Sequence, residues 1–172
     1  MSKKLKIQMN GRSDEFGTPK EALEYLLPYL NKEWIIWECA YGKGSLAKHL
    51  RNKGFNVIGN GEDFLKAKTQ GDCLVTNPPY SIKGKFLEKA FEIGKPFAFL
   101  LPLTTLEGKQ RGELFKNNKI QLIIPNKRIN FETPSGLGKG SWFATAWFCG
   151  NMNLPKDLNF VKLEVKGVGE DE

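Results

Sequence analysis

Short apolar runs alternate along the sequence with longer stretches in which apolar residues recur every three or four positions. A short run of aliphatic, aromatic or β-branched residues predicts a strand that is buried on both faces. Such runs occur at residues 34–37, 55–59, 73–76, 97–101, 120–124 and 142–148. The stretches between them predict helices at residues 45–53, 81–93 and 106–117. This alternation indicates a compact α/β fold, Rossmann-like, with a mainly parallel twisted sheet and helices on both faces.

A further helix is predicted to begin near Thr18. Thr18 is a candidate N-cap, Pro19 suits the first helical position, and Glu21 completes a capping box. The leucines that follow have the spacing of one helical face: Leu23, Leu26, Leu27 and Leu30. Pro28 interrupts this pattern and should bend or end the helix.

The length of 172 residues corresponds to one domain with a sizeable core. We assign residues 1–15 to a flexible N-terminal segment, 16–165 to the single domain and 166–172 to a polar C-terminal tail. No apolar run is long enough to span a bilayer, and the N-terminus lacks the apolar core of a signal peptide. The sequence therefore predicts a cytoplasmic protein without a membrane partner.

The cysteine, histidine and charge content limits which metal sites, catalytic triads and partners the chain can be expected to have. Cys39, Cys73 and Cys149 are scattered, each within an apolar stretch, which predicts buried free thiols in a reducing compartment. With one histidine, His49, neither a His/Cys metal cluster nor a His-based triad is expected. The net charge of +7 favours an anionic partner, most often nucleic acid.

The segment from Asn77 to Tyr80 follows the predicted strand at residues 73–76. Two successive prolines, Pro78 and Pro79, make this loop stiff, because each fixes its own φ and restricts the residue before it. The Asn77 side chain and the Pro78 carbonyl can then offer two hydrogen-bond acceptors beside the flat ring of Tyr80. Such a loop suits a planar group that carries an NH2, such as adenine. The alternative is an ordinary Asn-Pro turn at a strand end.

A second candidate loop runs from Glu38 to Gly44, after the predicted strand at residues 34–37. Gly42 and Gly44 permit a tight turn and the close approach of a ligand to the main chain. Glu38 could pair with a cationic amino group. The segment is not a P-loop, because Lys43 precedes a glycine. A simple strand–helix connection is the alternative. Ligands bind at the carboxyl ends of parallel strands, so this loop and the Asn77 loop should share one edge of the sheet.

Asp63 and Phe64 follow the predicted strand at residues 55–59. The Asp63 carboxylate could accept a hydrogen bond from an exocyclic amine, while Phe64 or Leu65 packs on a purine face. An ordinary helix cap is the alternative.

Taken in order, these segments resemble the class I S-adenosylmethionine-dependent amino methyltransferases that act on adenine. The resemblance covers most of the chain, from Phe16 to about Phe148. It rests on four segments: Phe16-Gly17-Thr18-Pro19, Glu38 through Gly44, Asp63-Phe64 and, most specifically, Asn77-Pro78-Pro79-Tyr80. The part from Phe131 to Phe148, with Gly140-Ser141-Trp142-Phe143, is similar to small phage-type DNA adenine-N6 methyltransferases. A bacterial or phage-infected cell is the setting that this likeness implies.

The resemblance implies a role for each segment, with S-adenosyl-L-methionine as the cofactor and no metal. The implied cofactor-binding residues are Phe16, Thr18, Glu38, Ala40, Gly42, Gly44, Asp63, Phe64 and Asn77. The implied catalytic residues are Asn77, Pro78, Pro79 and Tyr80. Asn77 and the Pro78 carbonyl would accept hydrogen bonds from the target amine, and Tyr80 would stack on a base that has left its helix. Phe131 or Trp142 would supply a further stacking face.

The sequence departs from the family in two respects. The acidic residue expected directly after the second strand for the cofactor ribose is missing, and Glu62 is the nearest acid. No separate target-recognition domain is evident, so we expect weak sequence specificity or a partner subunit that supplies recognition. Nucleic-acid contact would then fall on basic residues of the domain itself. The candidates are Lys83, Lys109, Arg111, Lys127, Arg128 and Lys139.

DNA is the leading substrate, and RNA is the main competitor because its single-stranded adenines need no flipping. A protein glutamine-amide methyltransferase uses a similar loop, but the basic charge and the lack of a helical extension disfavour it. A cytosine-N4 enzyme would more often carry Ser in place of Asn77. From another class, the chain could be an inactive subunit that binds cofactor or nucleic acid.

Overall fold

The computed structural model describes residues 17–133, 136–137 and 143–163. Within these ranges, seven strands form the main sheet, and two short strands form a separate hairpin. The sheet consists of β1 (Ile35–Trp37), β2 (Asn56–Ile58), β3 (Cys73–Thr76), β4 (Phe97–Pro102), β5 (Gln121–Pro125), β8 (Thr145–Gly150) and β9 (Leu158–Val161). The hairpin pairs β6 (Glu132–Thr133) with β7 (Gly136–Leu137).

Among the described residues, four α-helices connect or flank these strands. They are α1 (Lys20–Glu24), α2 (Ser45–Asn52), α3 (Lys83–Ile93) and α4 (Lys109–Asn117). Single 3₁₀ turns follow α1, precede α3 and precede α4, at Leu27–Tyr29, Tyr80–Ile82 and Leu103–Leu106. None of the helices within the described ranges is long and apolar enough to cross a membrane.

The strand order β2-β1-β3-β4-β8-β5-β9 places the switch point of the sheet between β1 and β3. From β1 the chain crosses to β2 on one side, and from β3 it crosses to β4 on the other. All neighbouring pairs are parallel except those that β8 makes with β4 and β5. The loops after β1 and β3 therefore leave adjacent strands at the same edge, where open α/β sheets bind ligands.

Side chains of alternate strand residues form two cores, one on each face of the sheet. On the first face, Val75, Leu100 and Trp147 pack against α1 and α2. The indole of Trp147 anchors α1 by donating a hydrogen bond of 2.7 Å to the carbonyl of Ala22. On the second face, the aromatic strand residues pack against α3 and the partly buried side of α4. The predicted α/β architecture with helices on both faces is confirmed.

Several details differ from the sequence prediction. Thr18 does not cap the first helix: Pro19 occupies the N-cap, and no side chain caps α1. The helix ends at Glu24, before Pro28, and α4 begins at Lys109 because Gly108 has a φ of 120°. The last predicted strand begins at Thr145 and runs antiparallel to its neighbours. The strand β9 was not predicted, since its residues Leu158 and Phe160 are exposed and lack the pattern of a buried strand. The three predicted free, buried cysteines are confirmed.

Candidate active site

The loops after β1 and β3 are joined by the side chain of Glu38. Its Oε1 accepts a hydrogen bond from the Thr76 hydroxyl and another, of 3.0 Å, from the backbone N–H of Ala40. Thr76 ends β3 and directly precedes Asn77. Because Glu38 and Thr76 are both buried, this contact sets the position of the Asn77 loop relative to the glycine turn.

Burial also sets the electrostatic state of Glu38. Loss of hydration raises the pKa of this carboxyl to about 7, and the hydrogen bonds from Thr76 and Ala40 lower it only in part. The carboxyl therefore changes charge near neutral pH. A cationic group placed against it would favour the ionised form.

The glycine turn has the backbone geometry that its composition predicts. Gly42 and Gly44 have φ values of 52° and 79°, the left-handed region that L side chains rarely adopt. The N–H of Gly44 closes the turn on the carbonyl of Tyr41 at 2.8 Å, and α2 begins at the next residue. The Tyr41 ring lies against both Gly44 and Gly59, the residue after β2. Tyr41 thus connects the turn to the end of the neighbouring strand.

A substitution at Gly59 can test whether the packing of Tyr41 holds the glycine turn in place. A Cβ at this position would lie 2.5 Å from Cδ2 of Tyr41 and 3.1 Å from the carbonyl oxygen of Glu38. Gly59→Ala should therefore displace the turn and destabilise the protein by about 1–3 kcal/mol, measured by urea denaturation. Gly112→Ala is the matched control, because a Cβ there meets nothing within 4 Å. Because Gly112 lies in the interior of α4, its replacement by alanine should raise the free energy of unfolding by about 0.5–1 kcal/mol. Equal effects of the two substitutions would contradict the role of Gly59.

A cavity of about 270 Å³ opens between the glycine turn, the start of α2 and the Asn77 loop. The sequence-predicted residues Thr18, Glu38, Ala40, Gly42 and Asn77 all line it. Gly44 is not among its lining residues and instead supports Tyr41. Phe16 lies outside the described residues.

A second cavity, of about 220 Å³, borders the same turn. It shares Ala40, Tyr41 and Gly42 with the first. Its remaining lining includes Asp63 and Phe64, both predicted from the sequence, and extends to Cys39, Gly61, Glu62, Pro79, Ile82 and Phe86. The two cavities together follow the carboxyl ends of β1, β2 and β3.

Asp63 and Phe64 are held in place by local contacts. Asp63 Oδ1 accepts a hydrogen bond of 3.0 Å from the N–H of Leu65, so the carboxylate also caps its own turn. The Phe64 ring is buried and packs on Trp37 and Phe86. Lys89 of α3 also stabilises this turn. Its ammonium group donates hydrogen bonds to the carbonyl of Phe64 and, at 2.9 Å, to the carbonyl of Ala67. The same group lies 4.9 Å from the centre of the Phe64 ring.

The Asn77 loop contains a buried acceptor without a partner. Asn77 Oδ1 is buried, yet within the described part of the chain it accepts no hydrogen bond. Buried polar atoms are nearly always paired, so an orphaned acceptor that borders a cavity is typical of a ligand site. Pro78 is buried and Pro79 half-buried. The Tyr80 ring is only 9% exposed and packs edge-on against Phe143, with ring centres 5.8 Å apart.

The predicted basic residues fall into two groups. Lys83 begins α3 directly after the Asn77 loop and donates a hydrogen bond of 3.2 Å to the Tyr80 carbonyl. Burial lowers the pKa of Lys83, and the nearby Arg111 lowers it further, so two cations lie close together beside this loop. Arg111 also donates to the carbonyls of Thr105 and Glu107, at 2.8 and 2.6 Å.

The other predicted basic residues that the structure describes are surface side chains. Lys109 is exposed at the start of α4, near Arg111 in sequence, while Lys127 and Arg128 are exposed after β5. Lys139 and Trp142 lie outside the described residues. Within the described ranges, no group of three or more His, Cys, Asp or Glu side chains could hold a metal ion.

Sequence reasoning missed three residues that shape the site. Tyr41 lies within the predicted glycine turn, and Thr76 directly precedes the Asn77 loop. Thr76 could have been found, because a polar residue at the end of an otherwise apolar strand indicates a functional side chain. No local sequence pattern indicated a role for Lys89, because the carbonyl groups that its side chain binds belong to residues 22 and 25 positions away in the chain.

Comparisons with known proteins support the fold. No family model matches the sequence, and the search of curated proteins found no match. The M protein of the type I restriction enzyme EcoKI matches in structure over 91% of this chain and 50% of its own, with 13% identity and a TM-score of 0.52. A chain from a type I restriction–modification system matches over 88% and 45%, with 13% identity and a TM-score of 0.54.

A third match is a tRNA methyltransferase from M. jannaschii, over 79% of this chain and 49% of its own, with 14% identity and a TM-score of 0.48. The chain thus spans about half the length of these proteins. At such low identities the likeness concerns the fold alone. The chain has the Rossmann-like α/β fold of class I methyltransferases.

Proposed function

We propose that the protein is an S-adenosylmethionine-dependent methyltransferase that modifies the exocyclic N6 amino group of adenine in DNA. The observation that carries the proposal is the buried, unpartnered Oδ1 of Asn77 at the border of the first cavity. This acceptor lies beside two prolines, and no N–H of the described residues donates to it, so it can accept one from a ligand.

The two cavities fit the proposed cofactor. Glu38 in the first cavity would bind the cationic amino group of its amino-acid part, and Asp63 with Phe64 in the second would hold its adenine. Glu62, exposed and lining the second cavity, would reach the ribose hydroxyls in place of the acid missing after β2. Ala40, Tyr41 and Gly42 border both cavities, so their backbone would follow the middle of the cofactor. The bound cofactor would supply an electrophilic methyl group on its sulfonium.

The chain's own contribution to catalysis is the orientation of the target amine. The nitrogen lone pair of an exocyclic amine is delocalised into the ring, which makes it a poor nucleophile. Asn77 Oδ1 and the Pro78 carbonyl would each accept one N–H, favouring a pyramidal nitrogen with its lone pair directed at the methyl group. Positioning and electrostatics supply the rate acceleration, with no covalent intermediate.

Tyr80 would stack on the target base after the base has left its helix. The ring is buried against Phe143 in this structure, so the base would replace part of that aromatic contact. The EcoKI M protein, which is similar in fold, belongs to a restriction enzyme, but the fold alone does not select DNA over RNA. The closely placed cations Lys83 and Arg111 support an anionic substrate of either kind.

The experiment that tests the proposal follows labelled methyl groups from S-adenosylmethionine into duplex DNA, single-stranded DNA, RNA and a protein extract. Label should enter DNA and be recovered as N6-methyladenine after digestion. If the label enters RNA instead, the proposed active site stands, but its substrate is RNA. Label in protein, or in no acceptor despite tight cofactor binding, would contradict the proposal.

Lys83 gives a separate prediction about nucleic-acid binding. If its ammonium contacts a phosphate, Lys83→Ala should weaken DNA binding and reduce the slope of log affinity against log salt by about one unit. Because Lys83 also binds the Tyr80 carbonyl, the rate of methyl transfer should fall as well. Fluorescence anisotropy over a salt series measures the first effect. Lys85→Ala, on the exposed side of α3, is the control, and an equal change in slope there would contradict a specific contact.

A further inference from the structure

The carboxyl group of Glu38 uses its two oxygens differently. Within the described part of the chain, the Thr76 hydroxyl and the backbone N–H of Ala40 both donate to Oε1, and no hydrogen bond reaches Oε2. Glu38 is only 3% exposed, and it lines the first cavity. Because Oε1 already has two donors, Oε2 is the oxygen that remains for a ligand in this cavity.

Thr76 holds Oε1 from the neighbouring strand. Because β1 and β3 are adjacent and parallel, Glu38 and Thr76 lie at the same edge of the sheet. Thr76 is the last residue of β3, is completely buried and directly precedes Asn77. The two prolines that follow make the loop stiff, so a displacement of Thr76 would move Asn77 with it.

We propose that Thr76 is a positioning residue, which ties Asn77 to the carboxyl group that would hold the cofactor. In this arrangement Oε1 of Glu38 binds Thr76 and Ala40, and Oε2 binds the cationic amino group of the cofactor. The inference rests on the proposed function and extends it. One side chain, Glu38, would then contact both the cofactor and the strand end that carries Asn77, and so set the distance between the methyl donor and the target amine.

The charge of Glu38 determines how firmly Thr76 is held. A hydrogen bond to an ionised acceptor is shorter than one between neutral groups and about twice as strong. A cationic group at Oε2 favours the ionised form of the carboxyl. With the amino group of the cofactor bound, Glu38 would therefore hold Thr76, and with it Asn77, more firmly than in the free protein.

Few titratable groups surround Glu38 among the described residues. Burial is the largest cause of its raised pKa, and the hydrogen bond from Thr76 opposes this rise. The next residue, Cys39, has a buried thiol whose pKa lies well above its ordinary value, so this thiol stays neutral. Tyr41 and the exposed Lys43 line the same cavity. The loss of the Thr76 hydroxyl should therefore show directly in the titration of Glu38.

The first test measures how the stability of the ligand-free protein depends on pH. Thr76→Val removes the hydroxyl and keeps the branched shape, so the pKa of Glu38 should rise above its wild-type value of about 7. The stabilisation from the Glu38 proton, which in the wild type is lost by about pH 7, should then be lost at higher pH in urea denaturation. Thr76→Ser keeps the hydroxyl and should retain the wild-type profile. A profile that Thr76→Val leaves unchanged would overturn the proposal.

Thr145→Val is the matched control. Thr145 is likewise a buried threonine at the end of a strand, since it begins β8. Its hydroxyl has no hydrogen-bond partner among the described residues. This variant should therefore keep the wild-type pH profile, and a shift equal to that of Thr76→Val would overturn the proposal.

The second test distinguishes an action of Thr76 on Asn77 from the mere pairing of a buried carboxyl. The probe is the side-chain amide signal of Asn77 in NMR spectra of the ¹⁵N-labelled, ligand-free protein, assigned with Asn77→Asp. In the wild type and in Thr76→Ser this signal should change with pH at the midpoint of the Glu38 titration. In Thr76→Val the change should be lost. A change of equal size in Thr76→Val, or no change in the wild type, would overturn the proposal.

The rate of methyl transfer separates this inference from the proposed activity. At saturating S-adenosylmethionine, Thr76→Val should lower the rate at least about tenfold, since a misplacement of about 1 Å can cost about a hundredfold. Thr76→Ser should restore the rate. A wild-type rate in Thr76→Val would overturn the inference and leave the proposed function intact. If no acceptor is methylated but the Asn77 signal depends on Thr76, the proposed function is wrong and the link from Glu38 to Asn77 stands.

Discussion

Asn77→Ala should lower the rate of methyl transfer to adenine by at least about a hundredfold, the usual effect of deleting one preorganised polar contact to a reacting group. The substitution removes the buried acceptor Oδ1 and leaves the Pro78 carbonyl as the remaining partner of the target amine. Binding of S-adenosylhomocysteine should be largely retained, because Glu38 and the glycine turn do not depend on this side chain. Single-turnover transfer of labelled methyl groups and calorimetric titration of the ligand measure the two effects.

The control for this prediction is Asn77→Asp, which keeps an oxygen acceptor at the same position. We expect it to retain a measurable part of the activity that Asn77→Ala loses. If the alanine variant transfers methyl groups at the wild-type rate, Asn77 is not catalytic, and a subunit that only binds cofactor or nucleic acid becomes the better description. If both variants are equally inactive, the role of Oδ1 as an acceptor is wrong.

Glu38→Gln should weaken S-adenosylhomocysteine binding at pH 8 by roughly tenfold to a hundredfold, the range for a lost hydrogen bond to a charged group. This ligand carries the same amino group as the proposed cofactor. Burial raises the pKa of Glu38 to about 7, so the carboxyl of the free protein is largely protonated at pH 6 and largely ionised at pH 8. Wild-type affinity should therefore rise between these values, whereas the glutamine variant should lack the rise. Titration calorimetry at both pH values measures it.

The same raised pKa predicts how stability depends on pH. The folded protein holds the Glu38 proton more tightly than the unfolded chain, whose carboxyl has the ordinary pKa of 4.5. The resulting stabilisation is fully present below pH 4.5 and is lost as the pH rises to about 7, a change of about 3 kcal/mol. Glu38→Gln should remove this part of the pH dependence in urea denaturation. A wild-type dependence that persists in the variant would contradict the assignment to Glu38.

The fold class and most elements were predictable because each depends on a local signal. The run from Cys73 to Thr76 followed by two prolines defines both a buried strand and its end. The spacing of Phe86, Leu87 and Ala90 likewise predicts α3, and Gly94 in the left-handed conformation ends it. These signals survive folding because buried strands and amphipathic helices need their apolar residues whatever the partner.

The errors came from features that depend on distant residues. Pro19, not Thr18, occupies the N-cap of α1, although Thr18 has the residue type of a cap. The direction of β8 could not be read from its apolar pattern, because a strand buried on both faces looks the same in either orientation. The exposed strand β9 joins the sheet through its backbone, pairing with β5.

By itself the sequence determined the α/β class, the free buried cysteines and the candidate segments at Thr18, Glu38 to Gly44, Asp63 and Asn77, because residue type and local spacing carry this information. The tertiary structure decided which of these segments meet. It joined Glu38 to Thr76 across two strands, placed Tyr41 against Gly59, and packed Tyr80 on Phe143. Such contacts depend on strand order and direction, which arise when the whole sheet packs and which no local pattern encodes.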